Sequence, residues 1–521
     1  MEWRALPPID DPLELTRAAL AGRRAWLVGG AVRDRLLRAG VAGGSGTSRG
    51  AIPGLTAGGA PGSKSPSAAD LDVVLEGEPR EAARALADTA RAAAFALSEE
   101  YGGWRVVARN GAWQVDFERL RGASLEEDLA LRDFTVNAIA QPLGEPGAPA
   151  GETIDPLGGG EDLARRRLRE AGPRAFAEDP LRVLRLVRLA VELDLEADAD
   201  TRAHARAHAA ALTKIAPERI FMELCRILDA PRAVAGLELM AEVGATAVVL
   251  PELEALRGVT QSHYHHRDVY GHTLEVIEQV IALQEEPAEA LEGDGGLDRE
   301  AIAALLAEPL ADGLSRGGAL RWGALLHDAA KPLTREVRTS DGRVTFIGHD
   351  ALGAQLAGGV LARLRASGRL RAHVAALVRN HLRLGFLVHE PQPLARRTVF
   401  AYLRACEPVE VDVTLLSVAD RLATRGDRSQ KAIEAHLDLA RTMLADAIGW
   451  RAEGGPPHPL LRGDELAREL GIPAGPRLGG LLEELLRAQY AGEVSTREEA
   501  LVLLREGLGP LHVGEGPLAG Q

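Results

Sequence analysis

Asp70 and Asp72 stand two apart in the run Asp-Leu-Asp-Val-Val-Leu. On a strand both carboxylates face one side while Leu71 faces the other. Two hard oxygen ligands on one face suit Mg2+, which binds carboxylates together with substrate phosphates. A third acid, Asp116, follows within Trp-Gln-Val-Asp-Phe-Glu. Three carboxylates in that order suit a two-metal site, the arrangement that activates a 3′-hydroxyl and stabilises a departing pyrophosphate. Upstream, Leu27-Val28-Gly29-Gly30 marks a strand turning into a helix. Glycine lets phosphate oxygens approach the backbone, and a helix N-terminus offers free N–H groups. Arg33, one turn in, reaches the same anion. A second set comprises His272, His327-Asp328, His349, His381 and Asp420. Imidazoles and carboxylates scattered over several helices converge on one metal when those helices bundle. Each piece alone is ordinary, since Gly-Gly turns, acidic strand edges and lone helical histidines are mostly structural. The order and combination carry the weight.

The elements that must position these residues can be read from pattern. Residues 25–28 form a short apolar strand, and a helix follows from Ala31 to about Arg38. Residues 40–69, almost all Gly, Ser, Ala, Pro and Thr, bury too little surface to offset ordering entropy and read as a flexible insert. A strand is predicted at 71–75, a helix at about 79–95, and strands at 104–109 and 112–118. Asn110-Gly111 between the last two is a strong hairpin signal. From 125 the pattern is mostly helical. Residues 283–318 read as an acidic insertion between helices, and 450–458 as a Gly/Pro linker before a final helical segment. His263, His265 and His266 read as a solvated loop.

Composition sets the outer limits. The 521 residues allow about three domains. All but four of the 61 basic residues are arginine, the exceptions being Lys64, Lys214, Lys331 and Lys431. A net charge of −14 excludes a globally basic nucleic-acid coat, so any RNA contact must be local. Between residues 163 and 191 eight arginines face three acids, one such local patch. Two distant cysteines, Cys225 and Cys406, exclude a disulfide scaffold and fit a reducing cytoplasm. No apolar run approaches the length of a membrane span.

Further motifs extend the series. Leu131-Arg132-Asp133-Phe134-Thr135-Val136-Asn137-Ala138 is followed by Asp155-Pro156-Leu157-Gly158-Gly159, then Glu178-Asp179-Pro180-Leu181-Arg182-Val183-Leu184-Arg185, then Glu218-Arg219-Ile220 with Glu223-Leu224. With the glycine turn and the acid pair, the set resembles the bacterial CCA-adding tRNA nucleotidyltransferase and poly(A) polymerase family over residues 23–230. The histidine–aspartate set resembles an HD domain, a helical metal-dependent phosphohydrolase fold. The resemblance implies an α+β chain, with a small mixed-sheet nucleotidyltransferase head followed by a long all-α body. Its expected parts are a head at 1–145, a helical neck at 146–255, an HD domain at 256–449 and a tRNA-contacting tail at 450–521.

The resemblance also implies roles. Gly29, Gly30 and Arg33 hold the triphosphate. Asp70 and Asp72 bind Mg2+, with Asp116 as third catalytic carboxylate. Arg132 and Asp133 contact sugar and phosphates. Asp179 and Arg182 hydrogen-bond the incoming base, supported by Arg185 and Arg188. The four are spaced by three, as on one helix face, and pair a pure acceptor with forked donors. In the HD domain His272, His327, Asp328 and Asp420 ligate a divalent transition metal, with His349 and His381 as phosphate or second-metal contacts. The implied substrates are tRNA, CTP and ATP. Leu131 replaces an arginine common in the family. The connection from Arg119 to Leu125 is short, as in members that add only the two cytidines, which points to CC addition with weak or absent terminal A. Two other readings are a poly(A) polymerase, which the Gly514–Pro517 tail disfavours by lacking a basic extension, and an HD phosphohydrolase with a vestigial RNA-binding head, which the intact head carboxylates disfavour.

Overall fold

The structure, a computed structural model, describes residues 11–40, 69–97, 102–149, 151–261, 266–287, 291, 298–425 and 430–507. Most of the predicted insert (41–68), His263, His265 and the Gly514–Pro517 tail lie outside the described residues. The chain divides into two compact units, one of residues 1–254 with 363–365, the other of 255–362 with 366–521.

The first unit is built on a mixed six-stranded sheet. Its strands are β1 (Ala25–Val28), β2 (Ala69–Leu75), β3 (Ala93–Ala96), β4 (Trp104–Val107), β5 (Trp113–Arg119) and β6 (Ala140–Pro142), in spatial order β3-β4-β5-β2-β1-β6. Only β2 and β5 pair in parallel; the other neighbours are antiparallel. Strand alternation separates the faces of β2. Leu71, Val73 and Leu75 are buried on the side packed by the Pro79–Ala90 helix. On the other face Val74 joins Trp26, Val28, Leu125 and Leu129 in a second small core, leaving Asp70 and Asp72 beyond its edge.

Two elements differ from the sequence reading. The helix expected to reach residue 95 ends at Ala90, where Arg91 takes a left-handed conformation (φ 52°), and β3 follows. Alanine-rich Ala93–Ala96 has only Phe95 to favour a strand and becomes one where β4 offers it a pairing edge. The predicted turn holds, since Gly111 has φ +69° and Asn110 Oδ1 accepts from the Ala112 N–H. Beyond the sheet, the amphipathic helices Arg182–Glu192, Pro217–Asp229 and Ala233–Glu242 pack together.

The second unit is a helical bundle of Val269–Glu285, Arg316–Leu326, Gly368–Asn380, Glu410–Leu422 and Gln430–Ala452, with a separate small core among the helices Gly463–Leu470, Pro476–Tyr490 and Arg497–Gly507. The segment read as an acidic insertion contains an ordered helix, Arg299–Ala307, and a hairpin of Pro309–Ala311 with Leu314–Ser315. Asp312 and Gly313, both at positive φ, make its turn. The predicted linker at 450–458 begins inside the long Gln430–Ala452 helix.

One glycine governs how the head's loops pack. A Cβ on Gly159 would sit 2.1 Å from the Thr135 carbonyl oxygen, in the turn that carries Asp133 and Asn137. Gly159→Ala is expected to destabilise the head by about 1–3 kcal/mol, as overpacking does. Urea unfolding followed by hydrogen exchange at residues 133–140 measures this.

Candidate functional site

The parallel register sets Asp72 beside Asp116, with Asp70 two residues back on the same face of β2. The glycine turn lies against this row. Gly29 has φ +71°, and a Cβ there would sit 3.1 Å from Asp72 Oδ2. Although its carboxylate opens onto the cleft, Asp72 is pushed up to about 6. Desolvation is the main cause, Arg132 opposes it, and Asp116, Glu118 and Asp70 add to the rise. Crowded hard oxygens that resist ionisation together are a fit donor set for a divalent cation.

The row forms one end of a cleft of about 1020 Å³ that also admits Gly29, Gly30, Arg33, Arg132, Asp133, Asp179, Arg182, Arg185 and Arg188. All twelve residues expected at the nucleotide site from sequence, eight in the head and four in the neck, therefore line one space. Their engagements differ. Arg33 Nη1 donates to Asn137 Oδ1 at 2.7 Å and its Nε to Asp34 Oδ1. Burial alone would raise Asp133, but Arg185, Asn137 and the Phe134 N–H hold it well below the usual carboxylate range. Arg182 donates to the carbonyls of Leu131, Arg132 and Ala175, so it fastens its helix to the Arg132–Asp133 segment. Arg188 pairs with Glu223 at 3.1 Å. Arg182, Arg185 and Arg188 share one helix face, as the spacing requires, while Asp179 precedes the helix in extended backbone. Asp179 accepts from the Leu181 N–H and from Arg219.

Sequence reasoning missed Arg105, whose guanidinium forks Asp116 with bonds of 2.7 and 2.6 Å. Its signal was the hairpin register, which sets Arg105 opposite Asp116.

In the second unit the six expected residues converge. His272, His327 and Asp420 bring ligand atoms within 4.8 Å of one another, as do Asp328, His349 and His381. Asp328 lies between the sets, 3.1 Å from His327 Nε2 and 3.4 Å from His349 Nε2. The Nδ1 atoms of His327, His349 and His381 each meet a carbonyl three residues earlier, Ala324, Phe346 and Val378. A carbonyl only accepts, so each Nδ1 carries the proton and Nε2 turns inward. All three Nε2 atoms are buried; those of His327 and His349 lie beside the Asp328 carboxylate, and that of His381 makes no hydrogen bond among the described residues. Burial, with His327 nearby, pushes His381 down to about 4, so it stays neutral. Burial opposes a rise at His327, yet Asp328 beside it holds that imidazole above its ordinary range. Inward nitrogens around a buried carboxylate fit a metal centre. Lys331, missed in the sequence, places Nζ 2.7 Å from Asp328 Oδ2 and 2.6 Å from Gln261 Oε1. His266 bonds Glu275 on the first turns of the His272 helix.

A carboxylate row, a glycine turn and an arginine-lined wall on a mixed sheet define a nucleotidyltransferase head, here in a chain that also carries an HD bundle. Family models agree: the poly A polymerase head domain matches residues 25–169, the probable RNA and SrmB-binding site of polymerase A 194–256, and the HD domain 269–425. The A-adding tRNA nucleotidyltransferase of Deinococcus radiodurans is 35% identical over 81% of this chain and 88% of its own length. The CC-adding enzyme of Thermus thermophilus is 34% identical over 79% and 83%, and that of Geobacter sulfurreducens 30% identical over 96% of both chains. The Thermotoga maritima CCA-adding enzyme, solved in complex with tRNA, shares the fold (TM-score 0.57, 19% identity, 97% of each chain). The chain belongs to the tRNA nucleotidyltransferase family. No helix among the described residues is long and apolar enough to cross a membrane.

The raised pKa of Asp72 has a direct consequence. A metal binds the ionised carboxylate, and protonation dominates below about pH 6. Divalent-ion affinity at the head is expected to be flat above pH 7 and to fall as pH drops through 6. Mn2+ binding measured at pH 5.5 and 7.5 checks the direction.

Proposed function

We propose that the chain extends tRNA 3′ ends without a nucleic-acid template, adding two cytidines from CTP and little or no terminal adenosine from ATP, in the cytoplasm. The observation that carries the reading is the Asp70–Asp72–Asp116 row facing a glycine turn and an arginine wall within one cleft. Asp70, Asp72 and Asp116 are the residues to hold Mg2+, which when bound supplies activation of the 3′-hydroxyl and charge relief for pyrophosphate. Gly29, Gly30 and Arg33 receive the triphosphate at the helix N-terminus. Arg132, beside Asp72, faces the same phosphates, and Asp133 acts through Arg185 by holding its guanidinium. Asp179 and Arg182 read the base edge at the mouth of the template helix.

The restriction to cytidine rests on the connection after β5. Ala123 N–H and Arg121 N–H donate to Glu127 and Asp128 side chains, and Ser124 caps the Leu125–Ala130 helix. A Cβ on Gly122 would meet the Glu127 side chain at 2.6 Å. Five residues pinned this way have no slack to reorient the base-reading helix between C and A.

In the second unit, His272, His327, Asp328, His349, His381 and Asp420 are proposed to hold one or two divalent transition-metal ions and to hydrolyse phosphate esters. The inward Nε2 atoms favour this second activity.

Incubating the protein with tRNA lacking CCA, together with CTP and ATP, and sequencing the 3′ ends tests the main reading. Ends stopping at CC are expected; full CCA ends formed at comparable rates overturn the restriction, and no addition overturns the reading. Asp72→Ala is expected to abolish addition, at least 10³-fold below wild type, as loss of metal-ion catalysis requires, while leaving phosphate-ester hydrolysis intact. His327→Ala with Asp328→Ala is expected to do the reverse. Loss of both activities in either folded variant contradicts two independent sites.

A further inference from the structure

The carboxylate row has a fourth member of opposite sign. Across the sheet the register runs Arg105 on β4, Asp116 on β5, Asp72 on β2. In-register neighbours point to the same face, so Arg105 closes the row at its outer end. Nε donates to Asp116 Oδ1 and Nη2 to Oδ2, engaging one lone pair on each oxygen. The pair lies within the cleft, with the Arg105 side chain 30% exposed. Main-chain pairing already joins β4 to β5, so the fork is not what holds the strands together.

We propose that Arg105 is the resident counter-cation of the carboxylate row: it competes with divalent metal for Asp116 and so sets the metal concentration at which the head becomes active. Adjacent like charges in register are destabilising, and Asp72 and Asp116 are such a pair, with Asp70 two residues back on the same face. An arginine stays protonated at every physiological pH, so its neutralisation of Asp116 is permanent until another cation takes its place. A metal entering the row must share Asp116 with the guanidinium or displace it. Arg105 is thus a positioning residue, acting on metal through Asp116. The inference rests on the reading of the row as a metal site.

Direct Mn2+ binding, followed by electron paramagnetic resonance without nucleotide, tests it. The full chain carrying His327→Ala and Asp328→Ala removes the second unit's contribution. In that background Arg105→Ala is expected to bind head Mn2+ roughly fivefold more tightly, the effect of relieving about 1 kcal/mol of repulsion in a water-exposed site. Arg105→Lys, a point charge without the fork, is expected to fall between. Half-saturating Mg2+ for cytidine addition is expected to shift the same way. Should Arg105→Ala fail to fold, Arg105→Gln keeps a hydrogen-bonding stem without charge and carries the same expectation. Unchanged or weaker Mn2+ affinity in the folded neutral variant overturns the proposal. Asp72→Ala in the same background separates the two claims, since Mn2+ retained there overturns the metal-site reading itself.

Discussion

The head is organised around one awkward fact, that parallel pairing of β2 with β5 sets Asp72 directly beside Asp116. Two carboxylates in that relation repel, and the surroundings are arranged to tolerate them. Gly29 has no side chain, so the backbone passes within reach of Asp72. Arg132 moderates Asp72 from one side and Arg105 neutralises Asp116 from the other. Leu71 and Val73 anchor the strand from the opposite face, so the acids cannot rotate away without unpacking the core. The repulsion is thereby held in a rigid frame, and under the proposed function it is what a bound polyvalent cation relieves.

The arginine wall reads differently in three dimensions than along the chain. Its basic stretch between residues 163 and 191 looks like a surface for RNA, yet much of it is neutralised internally. Arg167 and Arg169 hold the buried Asp162, Arg185 holds Asp133, and Arg188 holds Glu223. These pairs fix the geometry of the cleft. Arg132 and Arg33 lie against the glycine turn, 3.7 and 3.4 Å from where Cβ atoms on Gly29 and Gly30 would sit, and Arg105 forks Asp116 in the carboxylate row.

Much of this was legible because it is local. Asp-x-Asp on a strand, the Gly-Gly turn, the Asn110-Gly111 hairpin and the His327-Asp328 pair each announce themselves within a few residues. The converging head and HD residues followed once the motifs were ordered. What stayed hidden depends on register or on partners far along the chain. Arg105 gains meaning only from standing opposite Asp116, and Lys331 only from Asp328 with Gln261, seventy positions away. β3 is a strand by virtue of its neighbour. Asp312-Gly313 carried the same hairpin signal as Asn110-Gly111 but was masked by the acidic, glycine-bearing stretch around it.

Two histidines of the second unit, His327 and His381, have the Nδ1 proton placed by a carbonyl of the helix each one ends. His327 and His381 each bond the carbonyl three positions back at the C-terminal end of a helix, and His349 bonds that of Phe346 just before its helix begins. A histidine wired this way carries its tautomer with it when its helix slides or tilts. Helix spacing and proton placement are therefore separate variables in this bundle. Packing changes that widen or narrow the space between these helices leave the Nδ1 proton of each where its own carbonyl holds it.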